Sequence, residues 1–217
     1  MRHRAVTGTA SGAIEHAGEK EQVVDAVEVA PSCVNLGYNS LMHRSTLSCL
    51  RVSARPGSRT QGWLKVGPLT VPVALGRGGI RANKREGDGG TPRGKFNLVR
   101  LWWRADRHPR PRTLLPARGI SRDVAWCEEP HDRRYNRPFR RTANTPGDRL
   151  WRDDHLYDFI IEIDHNTRPR VAGRGSAVFI HVARPGFRPT AGCVAMTLPR
   201  LRWLLGQVGP RTCVVIE

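Results

Sequence analysis

Cys193 and His181 are the residues of this chain best suited to covalent chemistry. They stand in the stretch His181-Val-Ala-Arg-Pro-Gly-Phe-Arg-Pro-Thr190-Ala-Gly192-Cys193-Val-Ala-Met196. The thiolate is the nucleophilic form of cysteine, and a free thiol is mostly protonated near neutral pH. An imidazole within reach takes that proton and stabilises the thiolate as an ion pair, which suits attack on a carbonyl carbon. Gly192 permits a tight turn with no side chain in front of the nucleophile. The backbone N–H groups around Gly192 and Cys193 suit the oxyanion of a tetrahedral intermediate. Spacing alone does not decide the matter, because a cysteine on an apolar segment is also a common core residue.

The two side chains must be brought together by the elements around them. Ala177–His181 reads as a strand with an apolar interior, and the Pro/Gly loop after it carries the chain round to the Thr190-x-Gly192-Cys193 turn. Tyr157–Ile163 alternates, with Phe159, Ile161 and Ile163 on one face and Ile160 and Glu162 on the other. Upstream, Leu50–Ala54 reads as a strand. Trp63–Val66 and Leu69–Leu75 read as a hairpin joined at Gly67-Pro68, and a Gly-rich loop, Gly76–Gly90, follows. Val124–Cys127 reads as a short strand between an irregular Arg/Pro-rich segment, 104–122, and a polar loop, 128–150. Thr197 is placed as a helix N-cap, Leu201, Leu204, Leu205 and Val208 form one apolar face, and Gly209-Pro210 ends the helix. Thr212–Ile216 closes the chain as a buried strand. Many strands with Gly/Pro turns and one clear helix predict a mainly β domain. Residues 1–46 read as a tail without a packed element, so the domain is expected over 47–217.

With these residues in view, the chain resembles the L,D-transpeptidase catalytic domain, the YkuD family. The strand-terminal His181 and the run Thr190, Gly192, Cys193, Val194 and Met196 match that family's signature. A second block, Lys84-Arg-Glu-Gly87-Asp88-Gly-Gly-Thr91-Pro92-Arg-Gly94-Lys-Phe96, resembles its Gly-Asp…Thr-Pro-x-Gly-x-Phe/Tyr segment, in the same order along the chain. The resemblance covers roughly residues 48–217. It implies a β-sandwich or barrel-like domain with one or two short helices. It implies Cys193 as nucleophile and His181 as general base, forming a thioester with a peptidoglycan stem peptide or muropeptide and passing it to an amine. It implies the cell envelope or periplasm as the place of action. An L,D-carboxypeptidase or amidase-type hydrolase on the same scaffold, with water as acceptor, is the alternative. Two positions depart from many members: Ala191 stands where a second His precedes the glycine, and Ala195 where Arg or Asn follows the cysteine.

The formal charge is +17 over 217 residues. Residues 1–50 hold four Lys/Arg against five Asp/Glu, so the excess lies in the domain. Such a surface attracts polyanions, and a basic polyanion-binding module without catalysis is the reading that charge alone would support. GC-rich coding explains an arginine excess equally well. No nucleic-acid motif accompanies the charge, so no specific nucleic-acid partner is expected. Five cysteines, at 33, 49, 127, 193 and 213, are an odd number without a CxxC pair, which argues against a disulfide framework or a zinc site. Cys127 and Cys213 read as core, and Cys33 and Cys49 as unpaired. No cofactor and no metal are expected. No apolar run approaches the length of a membrane span, and no secretory signal is readable at the start, which leaves a cytoplasmic site of action open. A monomer is expected.

Four more residues are candidates for binding substrate. Thr190 is suited to hydrogen-bond the thiol, the substrate or His181, and equally suited to close a turn. Arg184 and Arg188, in the loop before the cysteine, match the carboxylates of a stem peptide but also suit a solvated basic loop. Tyr135 sits in a long polar loop, where ligand contacts concentrate.

Overall fold

Residues 47–217 are described by a computed structural model. The tail expected over 1–46, with Cys33, lies outside the described residues. The elements in chain order are β1 (Cys49–Ala54), β2 (Gln61–Val66), β3 (Leu69–Ala74), β4 (Ile80–Arg81), β5 (Thr91–Pro92), β6 (Gly94–Trp103), β7 (Ala117–Gly119), β8 (Val124–Trp126), β9 (Pro138–Arg140), β10 (Asp148–Arg149), β11 (Phe159–Ile163), β12 (Phe179–Val182), β13 (Val194–Met196), α1 (Leu198–Leu205) and β14 (Cys213–Ile216).

The main sheet runs β11-β12-β13-β3-β2-β1-β14-β6, and β6 pairs again with β11, so the sheet closes on itself. The first half of β6 pairs with β14 and its second half with β11, while β7 hangs on its far end. Closure removes the exposed edges that an open sheet would carry. Strand alternation then fills the inside. Leu50, Val52, Leu64, Val66, Val71 and Val73 point inward, as do Phe159, Ile161, Ile163, Ile180, Val182, Val194, Met196, Val214 and Ile216. Leu201, Leu204 and Leu205 of α1 join this core. Each such side chain contributes about 1.5–3 kcal/mol on burial.

A second apolar cluster lies on the outer face of β6, β11 and β12. It holds Trp102, Ile160, Phe179 and Cys193, together with Val124 and Trp126 of the small sheet β10-β8-β9 and Leu150, which follows β10. This explains why β11 is buried on both faces, although its sequence alternates. Glu162 is buried there too. Its carboxylate accepts a hydrogen bond from Trp102 Nε1 at 2.8 Å and pairs with Arg100 at 3.1 Å.

The mainly β, barrel-like expectation with one helix holds, and the strands at 49–54, 61–66, 69–74 and 213–216 lie where the alternation put them. Several details differ. The Arg/Pro-rich segment 104–122, expected to be irregular, contains β7, which pairs with the end of β6, and the Gly-rich loop 76–90 contains β4, paired with β5. The polar loop 128–150 contains β9 and β10, which flank β8; strands of two or three residues rich in arginine and proline carry no readable period. The helix ends at Leu205 with Gly206 as C-cap, one turn before Gly209. Thr197 occupies the N-cap with extended backbone, but its hydroxyl makes no capping bond.

Candidate active site

β12 and β13 run parallel side by side, with Ile180 opposite Val194 and His181 opposite Ala195. Ile180 and Val194 point into the barrel. By alternation His181 and Cys193 therefore emerge on the same outer face, Cys193 two residues along from the level of His181. Both line a cleft of about 330 Å³, walled by Arg77, Lys84, Glu86, Asp148, Tyr157 and Arg184 among others. Each is only 6% exposed.

The turn before Cys193 is held by Thr190. Its Oγ1 donates to the Cys193 carbonyl at 2.7 Å and accepts from the Gly192 N–H at 3.1 Å. Its own N–H donates to Leu75 O and its carbonyl accepts from Arg77 N, which docks the turn on the Gly-rich loop. Gly192 has φ +145, and a Cβ there would meet the Gly90 carbonyl oxygen at 2.8 Å. No other residue fits that close backbone approach. Of the two roles open to Thr190, its hydroxyl is thus spent on the turn. The Gly192 N–H is engaged as well, which leaves the Cys193 N–H as the backbone donor for an oxyanion.

The thiol is well coordinated. Cys193 Sγ donates to Ala177 O at 3.2 Å and accepts from Phe179 N–H at 3.3 Å. His181 is not among its partners. The imidazole Nδ1 lies 2.9 Å from Val182 O, and because a carbonyl only accepts, Nδ1 carries the proton and Nε2 keeps its lone pair. The Tyr157 ring stands edge-on to His181 at 5.3 Å. Burial pushes the Cys193 thiol up to about 12, against the Phe179 N–H, which works the other way. Burial pushes His181 down to about 4, against its bond to Val182; Arg184 and Arg152 add to the depression. The expected thiolate–imidazolium pair is therefore not the resting form: both groups rest neutral, because desolvation penalises either charge.

The loops that bound the cleft are fixed by polar side chains. Glu86 accepts from Tyr135 Oη at 2.5 Å and from Ser176 Oγ at 2.7 Å. Tyr157 donates to Asp148 at 2.6 Å. Asp88 accepts from Lys84 Nζ at 2.7 Å and from the Arg85 and Gly90 N–H groups. Burial opposes the charge of Asp88, but these bonds hold its carboxyl below the ordinary range. Thr91 Oγ1 accepts from Gly76 N at 2.8 Å. The second sequence block thus builds the cleft wall.

Of the residues singled out from sequence, His181, Cys193, Gly192, Thr190 and Arg184 come together at the cleft. Arg188 is exposed outside the lining. Tyr135 is buried behind the wall, where it holds Glu86 instead of facing a ligand. Glu86, Asp148, Tyr157 and Ser176 line the cleft without having been read as candidates. Glu86 meets Tyr135 and Ser176 from far along the chain, which gives no local signal. Among the described residues no group of three or more His, Cys, Asp or Glu is arranged to hold a metal ion, and no helix is long and apolar enough to cross a membrane.

The family model of the L,D-transpeptidase catalytic domain, YkuD, matches residues 58–216. Among solved structures the chain is similar to L,D-transpeptidase 3 from Mycobacterium tuberculosis in complex with a faropenem-derived adduct, at 11% identity over 78% of this chain and 59% of that one, with a TM-score of 0.37. A second structure of that enzyme gives 10% identity, 78% and 60% coverage, and a TM-score of 0.36. The chain thus spans less than two thirds of the length of either. No curated protein matches it. By the family model, which covers most of its length, the chain belongs to the L,D-transpeptidase catalytic domain family.

Proposed function

We propose that residues 47–217 are a catalytic domain that transfers acyl groups of peptidoglycan stem peptides in the cell envelope, through a thioester on Cys193. One observation carries this reading: His181 and Cys193 emerge on the same face of two adjacent parallel strands and open on one cleft, with the lone pair of Nε2 left available by the bond from Nδ1 to Val182.

The reaction follows from the neutral resting pair. A stem peptide enters the cleft, and Arg184 and Arg77 at its edge meet the peptide's carboxylates. The thiol turns from Ala177 O towards Nε2 of His181, gives up its proton there, and its sulfur bonds to the peptide carbonyl carbon. The oxyanion that forms is held by the Cys193 N–H. The carbon–nitrogen bond to the terminal residue breaks, the leaving amine takes the proton from His181, and a thioester remains. An acceptor amine then gives a proton back to His181 as it attacks the thioester, and Cys193 recovers its thiol.

The test is acylation by a carbapenem, a mimic of the acyl donor. Intact mass of the reduced protein is expected to rise by one adduct per chain, absent in Cys193→Ala. A folded, reduced protein that takes up no adduct, or takes it up on another cysteine, overturns the reading. Incubation with muropeptides then separates acceptors: crosslinked dimers mean transfer to an amine, trimmed stems mean transfer to water.

A further inference from the structure

Away from the cleft, Cys49 and Cys213 occupy the same level of two adjacent strands. β1 and β14 run parallel with Cys49 as the register partner of Cys213, and each cysteine is the first residue of its strand. Leu50, Val52, Val214 and Ile216 point into the barrel, so alternation turns both thiols to the outer face. Neighbouring strands lie about 4.8 Å apart, inside the roughly 4.4–6.8 Å of Cα separation that a disulfide spans. Cys49 is partly exposed, which gives an oxidant access, and Cys213 beside it is 7% exposed. Burial first, and then interaction with the Cys213 thiol, hold Cys49 above its ordinary range, while Arg51 and Lys95 act in the opposite direction.

The backbone around the pair is already joined. Leu47 N donates to Gln207 O at 3.0 Å, Thr212 Oγ1 donates to Leu47 O at 2.6 Å, and Cys213 N donates to Ser48 O at 3.0 Å. These bonds hold residues 47–48 against the start of the last strand and the turn that leads into it before any covalent link forms.

We propose that Cys49 and Cys213 are a redox modification site: an oxidising disulfide such as glutathione disulfide converts them to a disulfide that clasps the first strand of the domain to the last. The thiolate of Cys49 attacks one sulfur of the oxidant and releases one glutathione thiolate. The thiolate of Cys213 then attacks Sγ of Cys49 and releases the second. Two protein thiols become one disulfide, and one glutathione disulfide becomes two thiols. The link closes a loop over almost the whole described domain. Long loops lose the most freedom in the unfolded chain when cross-linked.

The full chain is treated with glutathione disulfide at mildly alkaline pH, unfolded in an alkylating reagent, and mapped by peptide mass. The expected result is a Cys49–Cys213 cross-link that protects both residues from alkylation. The thermal midpoint is expected to rise by several degrees, to revert with dithiothreitol, and not to move in Cys49→Ser. The proposal is overturned if both residues remain alkylated after oxidation, if they stop at mixed disulfides with glutathione, or if either links to Cys33, Cys127 or Cys193. Should Cys49→Ser fail to fold, the map of the unsubstituted chain still decides.

Discussion

The Thr190 hydroxyl donates to the carbonyl oxygen of Cys193 at 2.7 Å while accepting from the Gly192 N–H at 3.1 Å. One oxygen therefore fixes the peptide unit on each side of the Gly192–Cys193 step, and with it the direction in which the Cys193 N–H points. Thr190→Val keeps the shape and removes both bonds. It is expected to cost about 1–3 kcal/mol, the penalty for leaving buried backbone groups unpaired, and to slow acylation roughly 10- to 100-fold through misplacement of the turn. Thr190→Ser restores most of the loss. Urea unfolding and the rate of carbapenem adduct formation measure the two effects. An acylation rate equal to wild type in Thr190→Val would mean that the turn does not depend on this hydroxyl.

Because burial holds the Cys193 thiol up at about 12 and His181 down at about 4, neither group is charged in the empty site at neutral pH. Alkylation of Cys193 by a small reagent, read by peptide mass, is expected to be slow at pH 7. It should climb about tenfold per pH unit through pH 9 without a plateau, following the thiolate fraction. A pre-formed thiolate–imidazolium pair would instead alkylate fast and level off below about pH 8. That result would place the charge separation in the resting protein and not in the step of attack.

Desolvation of His181 also makes folding sensitive to acid. Its folded pKa of about 4 lies below the ordinary 6.5. Between those values the unfolded chain binds the proton and the folded chain does not. Stability contributed by the neutral imidazole is therefore present in full above about pH 6.5 and is lost as pH falls towards 4. At about 1.4 kcal/mol per pKa unit the loss is roughly 3 kcal/mol. His181→Gln, which cannot titrate, is expected to flatten that part of the curve. Urea midpoints from pH 7 to pH 4 for both proteins give the comparison, and parallel curves would show that His181 is hydrated in the folded state.

The parts legible in the sequence were those with a period or a fixed local chemistry. Phe159, Ile161 and Ile163 announced an inward face, and Gly192 announced the tight turn before Cys193; the close approach of the Gly90 carbonyl, which also requires a glycine there, carries no sequence signal. What could not be read depends on residues far apart in the chain. The protonation of Cys193 is set by Trp126, Leu150 and Phe179 packed over it, and β9 and β10, which bring that cover into place, are too short and too charged to show alternation. Glu86 and Tyr135 meet across the cleft wall although nothing in either local sequence points to the other. Tyr135 lies in a polar loop of the kind that hosts ligand contacts, but its ring is buried and its hydroxyl donates to Glu86.

Asn136, which shares with Tyr135 the polar loop expected to contact a ligand, instead carries a structural load. Its Oδ1 accepts from Trp126 Nε1 at 2.9 Å and from Ala177 N at 3.2 Å, and its Nδ2 donates to His165 O and Asn166 O. With φ +53 it also holds a backbone conformation that asparagine tolerates better than most residues. The same side chain thus ties the small sheet to the segment whose Ala177 carbonyl accepts the Cys193 thiol hydrogen. Asn136→Ala is expected to destabilise the domain by about 2–4 kcal/mol, since several buried partners are left unpaired. It should also speed alkylation of Cys193, because the acceptor that holds the thiol loses its anchor. Asn136→Asp keeps both acceptor bonds and loses both donor bonds, so it should lose stability yet leave thiol reactivity near wild type. Alkylation rates mapped to Cys193 in the two variants separate these effects, and equal rates in both would mean that Ala177 is positioned without Asn136.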